Sequence, residues 1–222
     1  KLSDFDLNDP KDRSILSNVR LVPGTTKLYR GYHPYKMSYS QYDTEATRIA
    51  LVKEALEEYG IKSIITLSGE EDPIEGKEEV SPYHLAIREA GNQLYINTSY
   101  NTVYFKSNGP EFAKVIEDII KFINTHPGPY YIHCRLGTDR TGTTSAVMAA
   151  LCGASWEDIC ADYQRTNLMG IKEFRDYRLL QYSFEQILGK PMSEVENLAK
   201  ELGDYFIANT SLTQKDIDDL VA

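Results

Sequence analysis

The chain has 222 residues, 41% of them hydrophobic and 26% charged, which suits a soluble globular protein of the α/β size class. A net charge of −9 argues against a general nucleic-acid or anionic-membrane binder, and no apolar run is long enough to span a bilayer. Three cysteines, without a Cys-x-x-Cys pair or a His/Cys cluster at ligand spacing, argue against a disulfide framework or zinc site, so we expect no metal and no cofactor.

The chain opens on Lys1, as expected where a signal peptide or a tag has been removed. Residues 1–26 are polar, carry turn signals at Asp9-Pro10 and Pro23-Gly24, and read as an irregular arm over the surface. Residues 27–30 read as a short strand, with Arg30 facing either a phosphate pocket or a surface ion pair. Ile49, Val52, Leu56 and Tyr59 recur at helical spacing and predict a helix over 43–59, stopped by Gly60. The β-branched run 61–67 predicts a strand, and the loop after it occupies the end where open α/β sheets gather ligands. Acidic runs at 70–72 and 75–79 read as a solvated face rather than a metal site.

A helix over 82–90 begins with Pro82, a strand follows at 94–97, and 98–109 reads as a loop. Helix 110–125 has the clearest apolar face, made by Phe112, Val115, Ile116, Ile119, Phe122 and Ile123. A strand at 130–133, a tight loop and an Ala-rich helix at 143–151 come next. Helices are expected at 155–165, 172–188, 193–202 and 213–220, most with a capping residue such as Ser155 or Thr213. Cys152 and Cys160 read as buried small hydrophobes, a resolving thiol being the alternative. This order predicts an α/β fold with a mostly parallel central sheet flanked by helices and a helical C-terminal third. We expect one domain over 1–222: an arm (1–26), the sheet and loop (27–153), and a helical part (154–222).

The tight loop reads His133-Cys134-Arg135-Leu136-Gly137-Thr138-Asp139-Arg140-Thr141-Gly142. Between a strand and a helix, such a loop turns its N–H groups toward one spot beside the helix N-terminus and makes an anion site. A thiol set against those donors and a guanidinium favours the nucleophilic thiolate. A thiolate facing a bound phosphate suggests phosphoryl transfer with a cysteine nucleophile.

Cys-x5-Arg alone is shared with arsenate reductases and rhodanese-like domains. The longer pattern, with His133 before it, Gly137 inside it and Thr141-Gly142 after it, resembles the signature of the protein tyrosine phosphatase superfamily. The resemblance implies that Cys134 attacks phosphorus and Arg140 grips two phosphoryl oxygens. The amides of Arg135, Leu136, Gly137, Thr138, Asp139 and Arg140 hold the remaining charge. Thr141 is expected to donate to the Cys134 sulfur, His133 to orient the loop, and Gly137 and Gly142 to allow backbone shapes that a Cβ hinders.

Most tyrosine phosphatases protonate the leaving group with an Asp on an upstream loop. Here 98–109 holds no carboxylate, and Asn101 falls where that Asp is expected. The form Gly-x-Asp-Arg-Thr-Gly is similar to a bacterial branch of atypical phosphatases, and myotubularin-type lipid phosphatases also carry Asp before the Arg. In both groups the loop Asp is the proposed acid, so the resemblance implies Asp139 for that role, with a structural brace as the alternative. Further likeness to the bacterial branch lies in Leu28-Tyr29-Arg30, in 60–67 with Glu70-Glu71 after it, in Ala161-Asp162-Tyr163 and in Ser211-Leu212-Thr213. Ser68 stands where that branch has Arg, and Thr138 where it has Lys.

The resemblance therefore implies a metal-independent phosphomonoesterase acting on phosphotyrosine proteins, with phosphoserine/threonine or phosphoinositides as further substrates. Arg135 resembles a basic residue of tensin-type phosphoinositide phosphatases, a solvent-facing Arg being the alternative. Tyr100, Tyr104 and Phe105 are expected to line the pocket. Competing readings are an inositol polyphosphate phosphatase similar to the cysteine phytases, and a phosphate-binding pseudophosphatase. The expected partner is a phosphorylated protein or phosphoinositide, with no nucleic acid and no stable membrane insertion. Oligomeric state and compartment stay open, with a lean towards export from a bacterial cell.

Overall fold

Ile64, Ile65 and Ile132 have no exposed surface, because the strands that carry them are covered on both faces. These strands lie at the centre of a computed structural model that describes residues 1–69 and 80–222. The acidic runs at 70–72 and 75–79 fall outside the described residues.

In chain order the elements are α1 (Pro10–Ser17), β1 (Arg20–Leu21), β2 (Leu28–Gly31), α2 (Glu45–Glu58), β3 (Ser63–Thr66), α3 (Pro82–Glu89) and β4 (Gln93–Tyr95). They continue with α4 (Tyr100–Phe105), α5 (Pro110–Thr125), β5 (Tyr130–His133), α6 (Arg140–Leu151), α7 (Trp156–Arg165), α8 (Tyr177–Leu188), α9 (Leu198–Asn209) and α10 (Gln214–Val221). Among the described residues the sheet runs β1-β2-β5-β3-β4, parallel except for β1 at one edge. In register, Gly31 and Thr66 flank His133. The segments that follow β2, β5 and β3 therefore leave the sheet side by side at one end, where open α/β sheets hold ligands.

Helices cover both faces. On one, α5 buries Phe112, Ile116 and Ile119 completely, as its periodicity predicts, and packs with α6 to α10. Each such side chain contributes about 1.5–3 kcal/mol on leaving water. On the other, Ile49, Val52 and Leu56 of α2 pack with Ile87 of α3 and with Val19 and Tyr32. In α6 every residue from Thr141 to Leu151 is buried. Its Ala and Thr side chains are small enough to let neighbouring elements close in on all sides. Among the described residues no helix is long and apolar enough to cross a membrane.

Four sequence expectations change. The 1–26 segment is not an irregular arm: Asp9 accepts from the Lys11 N–H, Pro10 starts α1, and Leu16, Val19 and Val22 enter the core. Charged Lys11, Asp12 and Arg13 obscure that short helix in the sequence. The 98–109 loop contains α4, capped by Ser99, too short for a 3.6-residue period to register. The stretch expected as one helix over 172–188 is irregular until Asp176 caps α8. The helix expected at 193–202 is displaced to Leu198–Asn209, behind an Asn197 cap.

Candidate active site

The loop after β5 is shaped from outside. The Cys134 carbonyl accepts from His133 Nδ1 (2.9 Å), and the Arg135 carbonyl from the His33 N–H (3.0 Å). The Leu136 carbonyl accepts from Asn18 Nδ2 (3.2 Å) and the Gly137 carbonyl from Arg30 Nη2 (2.5 Å). Four successive carbonyls thus point outward. In planar trans peptides the N–H groups then face the opposite way, into the loop. Gly137 makes the turn at φ +84°, and a Cβ there would lie 2.5 Å from the Gly31 carbonyl oxygen. Only glycine fits that combination. Gly142 behaves differently from expectation: it sits within α6, and a Cβ there would press on the Tyr163 ring at 3.2 Å.

The bracing groups come from distant parts of the chain. Arg30 is fully buried, so it faces neither a phosphate pocket nor the surface. Its Nη1 pairs with Asp162 Oδ2 (3.0 Å), while Arg20 Nε takes Asp162 Oδ1 (2.6 Å). Burial pushes the Asp162 carboxyl up, but Arg30 and Arg20 outweigh it and hold the group below the usual range. One carboxylate thus ties β1, β2 and α7 to the back of the loop.

His133 joins the loop to the sheet. A carbonyl can only accept, so His133 Nδ1 carries the proton and Nε2 accepts from the Thr66 hydroxyl (2.8 Å). Thr66 Oγ1 in turn accepts from Gln93 Nε2 (2.9 Å), and Gln93 Oε1 lies 3.0 Å from His84 Nε2. Burial, then neighbouring His33, push His133 well below the ordinary histidine value, so it is neutral.

A pocket of about 310 Å³ opens over the loop. Cys134, Arg135, Leu136, Thr138, Asp139 and Arg140 all line it. Gly137 is not on its wall. Thr141 stands apart as well: its hydroxyl is buried without a hydrogen-bond partner among the described residues and does not bond the Cys134 sulfur, against expectation. The aromatic wall is Tyr39 rather than the expected trio. Tyr104 is fully buried, whereas Tyr100 and Phe105 face solvent outside the pocket lining.

Asp139 is held from behind. Arg175 donates Nε to Oδ1 (2.8 Å) and Nη2 to Oδ2 (2.9 Å). The Tyr104 hydroxyl also donates to Oδ1 (2.8 Å) and shares a 2.5 Å bond with the Tyr163 hydroxyl. Burial first, then Tyr163 and Asp139, raise Tyr104 far above the ordinary tyrosine value, so it stays a donor. This geometry favours the brace reading of Asp139. Cys152 and Cys160 are only partly buried, and burial pushes both thiols up to about 11, which leaves them unreactive at neutral pH.

A family model described as "Tyrosine phosphatase family" matches residues 47–222. The chain belongs to the tyrosine phosphatase family. It is a cysteine-based phosphoric monoester hydrolase of that family, and its α/β architecture accords with membership. Among solved structures, this tyrosine phosphatase is similar to the core catalytic domain of the PP-IP phosphatase Siw14 from S. cerevisiae in complex with citrate. Identity is 21% over 75% of this chain and 83% of that one, with a TM-score of 0.42. A second structure of the Siw14 catalytic core is 18% identical over 75% of this chain and 82% of that one, with a TM-score of 0.41. No curated protein matches the chain.

Sequence reasoning missed Asp162 as a clamp, Arg175 as the partner of Asp139, and Tyr39 and Glu173 on the pocket wall. Asp162 had one signal, its place in the Ala-Asp-Tyr stretch; the others had none.

Proposed function

We propose that the protein hydrolyses phosphotyrosine in proteins through a phosphocysteine on Cys134, with phosphoserine/threonine and phosphoinositides as further substrates. The observation that carries this reading is the set of four outward carbonyls at 134–137, which turns the loop amides onto the pocket that Cys134 and Arg140 share.

Each residue has a part. The Cys134 sulfur attacks phosphorus, and the amides of 135–140 receive the equatorial oxygens. Arg140 follows those oxygens into the transition state as a planar two-pronged donor. Asp139 is a brace in this scheme; it fixes the start of α6, where its carbonyl accepts from the Thr143 N–H (2.9 Å). Tyr39 supplies aromatic surface on the pocket wall for a phenyl leaving group. A multiply phosphorylated inositol needs several cations, and the described pocket wall has two, Arg135 and Arg140.

We also propose a single phosphatase domain over 1–222. Asn18 and Arg20, near the N-terminus, brace the same loop as Asp162 of α7, which supports that reading.

A substrate panel tests the assignment: phosphotyrosine peptide, phosphoserine peptide, phosphoinositides and inositol hexakisphosphate. We expect the highest kcat/KM on phosphotyrosine peptide. A clear preference for inositol hexakisphosphate overturns the protein-substrate reading, and no turnover of any compound overturns the phosphatase reading.

A further inference from the structure

Phosphoryl transfer to a cysteine leaves an alkoxide or phenolate that needs a proton, and the donor must stand where that oxygen departs. Attack by sulfur is in line, so the leaving oxygen points away from Cys134, toward the pocket mouth. Among the described residues two carboxylates line the pocket, Asp139 and Glu173. Asp139 is engaged from behind: Arg175 donates to both of its oxygens, and the Tyr104 hydroxyl donates to Oδ1 as well.

Glu173 is placed differently. It comes from the segment between α7 and α8, separate from the phosphate loop, and stands on the same pocket wall as Tyr39. Its Oε1 accepts from the Tyr39 hydroxyl at 2.5 Å. Its Oε2 makes no hydrogen bond to a described residue, which leaves one oxygen to carry and deliver a proton. The segment is pinned, since Asn167 accepts from the Arg175 N–H and donates to the Arg175 carbonyl, both at 2.8 Å. The ion pair of Arg175 with Asp139 then fastens Glu173, two residues earlier, beside the loop.

We propose that Glu173 is the general acid of this phosphatase and that Tyr39 is its positioning residue. The assignment rests on the phosphatase reading above. In the first step the sulfur–phosphorus bond forms as the phosphorus–oxygen bond of the ester breaks, and the Glu173 carboxyl proton passes to the leaving oxygen. In the second, the Glu173 carboxylate takes a proton from the attacking water. The phosphorus–sulfur bond breaks, inorganic phosphate departs, and Cys134 and Glu173 return to their starting forms. The hydrogen bond to Glu173, then burial, push the Tyr39 phenol up to about 12, so it remains a donor throughout the working pH range. Among the described residues, the titratable and charged groups around Glu173 are Tyr39 on one side, with Tyr42 stacked on it, Cys134, Arg135, Asp139 and Arg140 on the loop, and Lys172 and Arg175 on its own segment.

The test compares phenyl phosphate, a poor leaving group, with 4-nitrophenyl phosphate, a good one, across pH. General-acid catalysis gives kcat/KM an alkaline limb, on which the rate falls with rising pH. Glu173→Gln should erase that alkaline limb and lower kcat on phenyl phosphate roughly a hundredfold or more, with a much smaller loss on 4-nitrophenyl phosphate. Glu173→Asp should recover part of the rate and restore the limb. Tyr39→Phe should shift the limb while keeping it. If Glu173→Gln keeps the limb, or loses equally on both substrates, the assignment is wrong. If Asp139→Asn erases the limb instead, the acid is Asp139 and the proposal fails. A wild type inactive on both substrates overturns the phosphatase reading together with this one.

Discussion

Arg175 grips Asp139 through two parallel bonds of 2.8 and 2.9 Å, so a residue just before α8 determines where the one carboxylate of the 133–142 loop points. Lysine cannot reproduce that fork. Arg175→Ala should destabilise the protein by about 1.5–3 kcal/mol, the usual worth of hydrogen bonds to a charged group. Arg175→Lys should recover little of it. Denaturant unfolding of both variants measures this, and full stability in Arg175→Lys would refute the two-pronged account.

The nucleophile can be separated from the binding site. Cys134→Ser keeps the outward carbonyls and Arg140 but replaces sulfur with a hydroxyl that is not ionised at neutral pH. Hydrolysis of 4-nitrophenyl phosphate should vanish, while inorganic phosphate still binds in isothermal titration. Residual turnover within tenfold of wild type would rule out Cys134.

Asp162 stands between two buried guanidiniums. Asp162→Ala leaves Arg20 and Arg30 facing each other without a counter-charge, and breaking a buried pair in this way costs about 3–5 kcal/mol. We expect a lower Tm and a loss of activity that tracks it, because Arg30 also positions the Gly137 carbonyl. A variant with wild-type Tm would show that the clamp is dispensable.

Gly137→Ala tests the loop's backbone. Strain at φ +84° costs about 1–3 kcal/mol, and the clash with the Gly31 carbonyl adds to it. Phosphate affinity should fall more than tenfold, read by titration. Unchanged affinity would mean that the loop tolerates a different shape.

Stability should also depend on pH through Glu117. Bonds from the Ser211 hydroxyl and N–H are the largest causes of its shift, and with Lys121 and Lys114 they hold the carboxyl at about 2, below its ordinary 4.5. Because the folded value is the lower one, this contribution is complete above pH 4.5 and is lost as pH falls through 2. Glu117→Gln should therefore lower Tm at pH 7 and bring the two proteins closer together by pH 2. A constant Tm difference across that range would contradict the linkage.

How much of this could be read from residues alone follows from the range of each interaction. The face of α5 and the 133–142 loop depend on neighbours within a few positions, so their patterns survive in the sequence. Arg30 and Asp162 are 132 positions apart, and Arg175 and Asp139 are 36 apart, so both pairs exist only after the sheet and helices have closed. The same gap hid Tyr39, which reaches the pocket from the segment after β2. Local composition did mislead at 1–26, where a capped helix of eight residues, rich in charge, looked like coil, and at 98–109, where Ser99 starts a helix of six residues.

The chain from His84 through Gln93 and Thr66 to His133 carries hydrogens in one direction only. Its last member spends both ring nitrogens, giving one hydrogen to the Cys134 carbonyl and receiving one from Thr66. No lone pair is left for the neighbouring sulfur. Behind the nucleophile the sheet is therefore closed to proton traffic, although an imidazole sits next to the cysteine in the chain. A proton leaving Cys134 has to exit through the front of the pocket, to water or to the arriving phosphate.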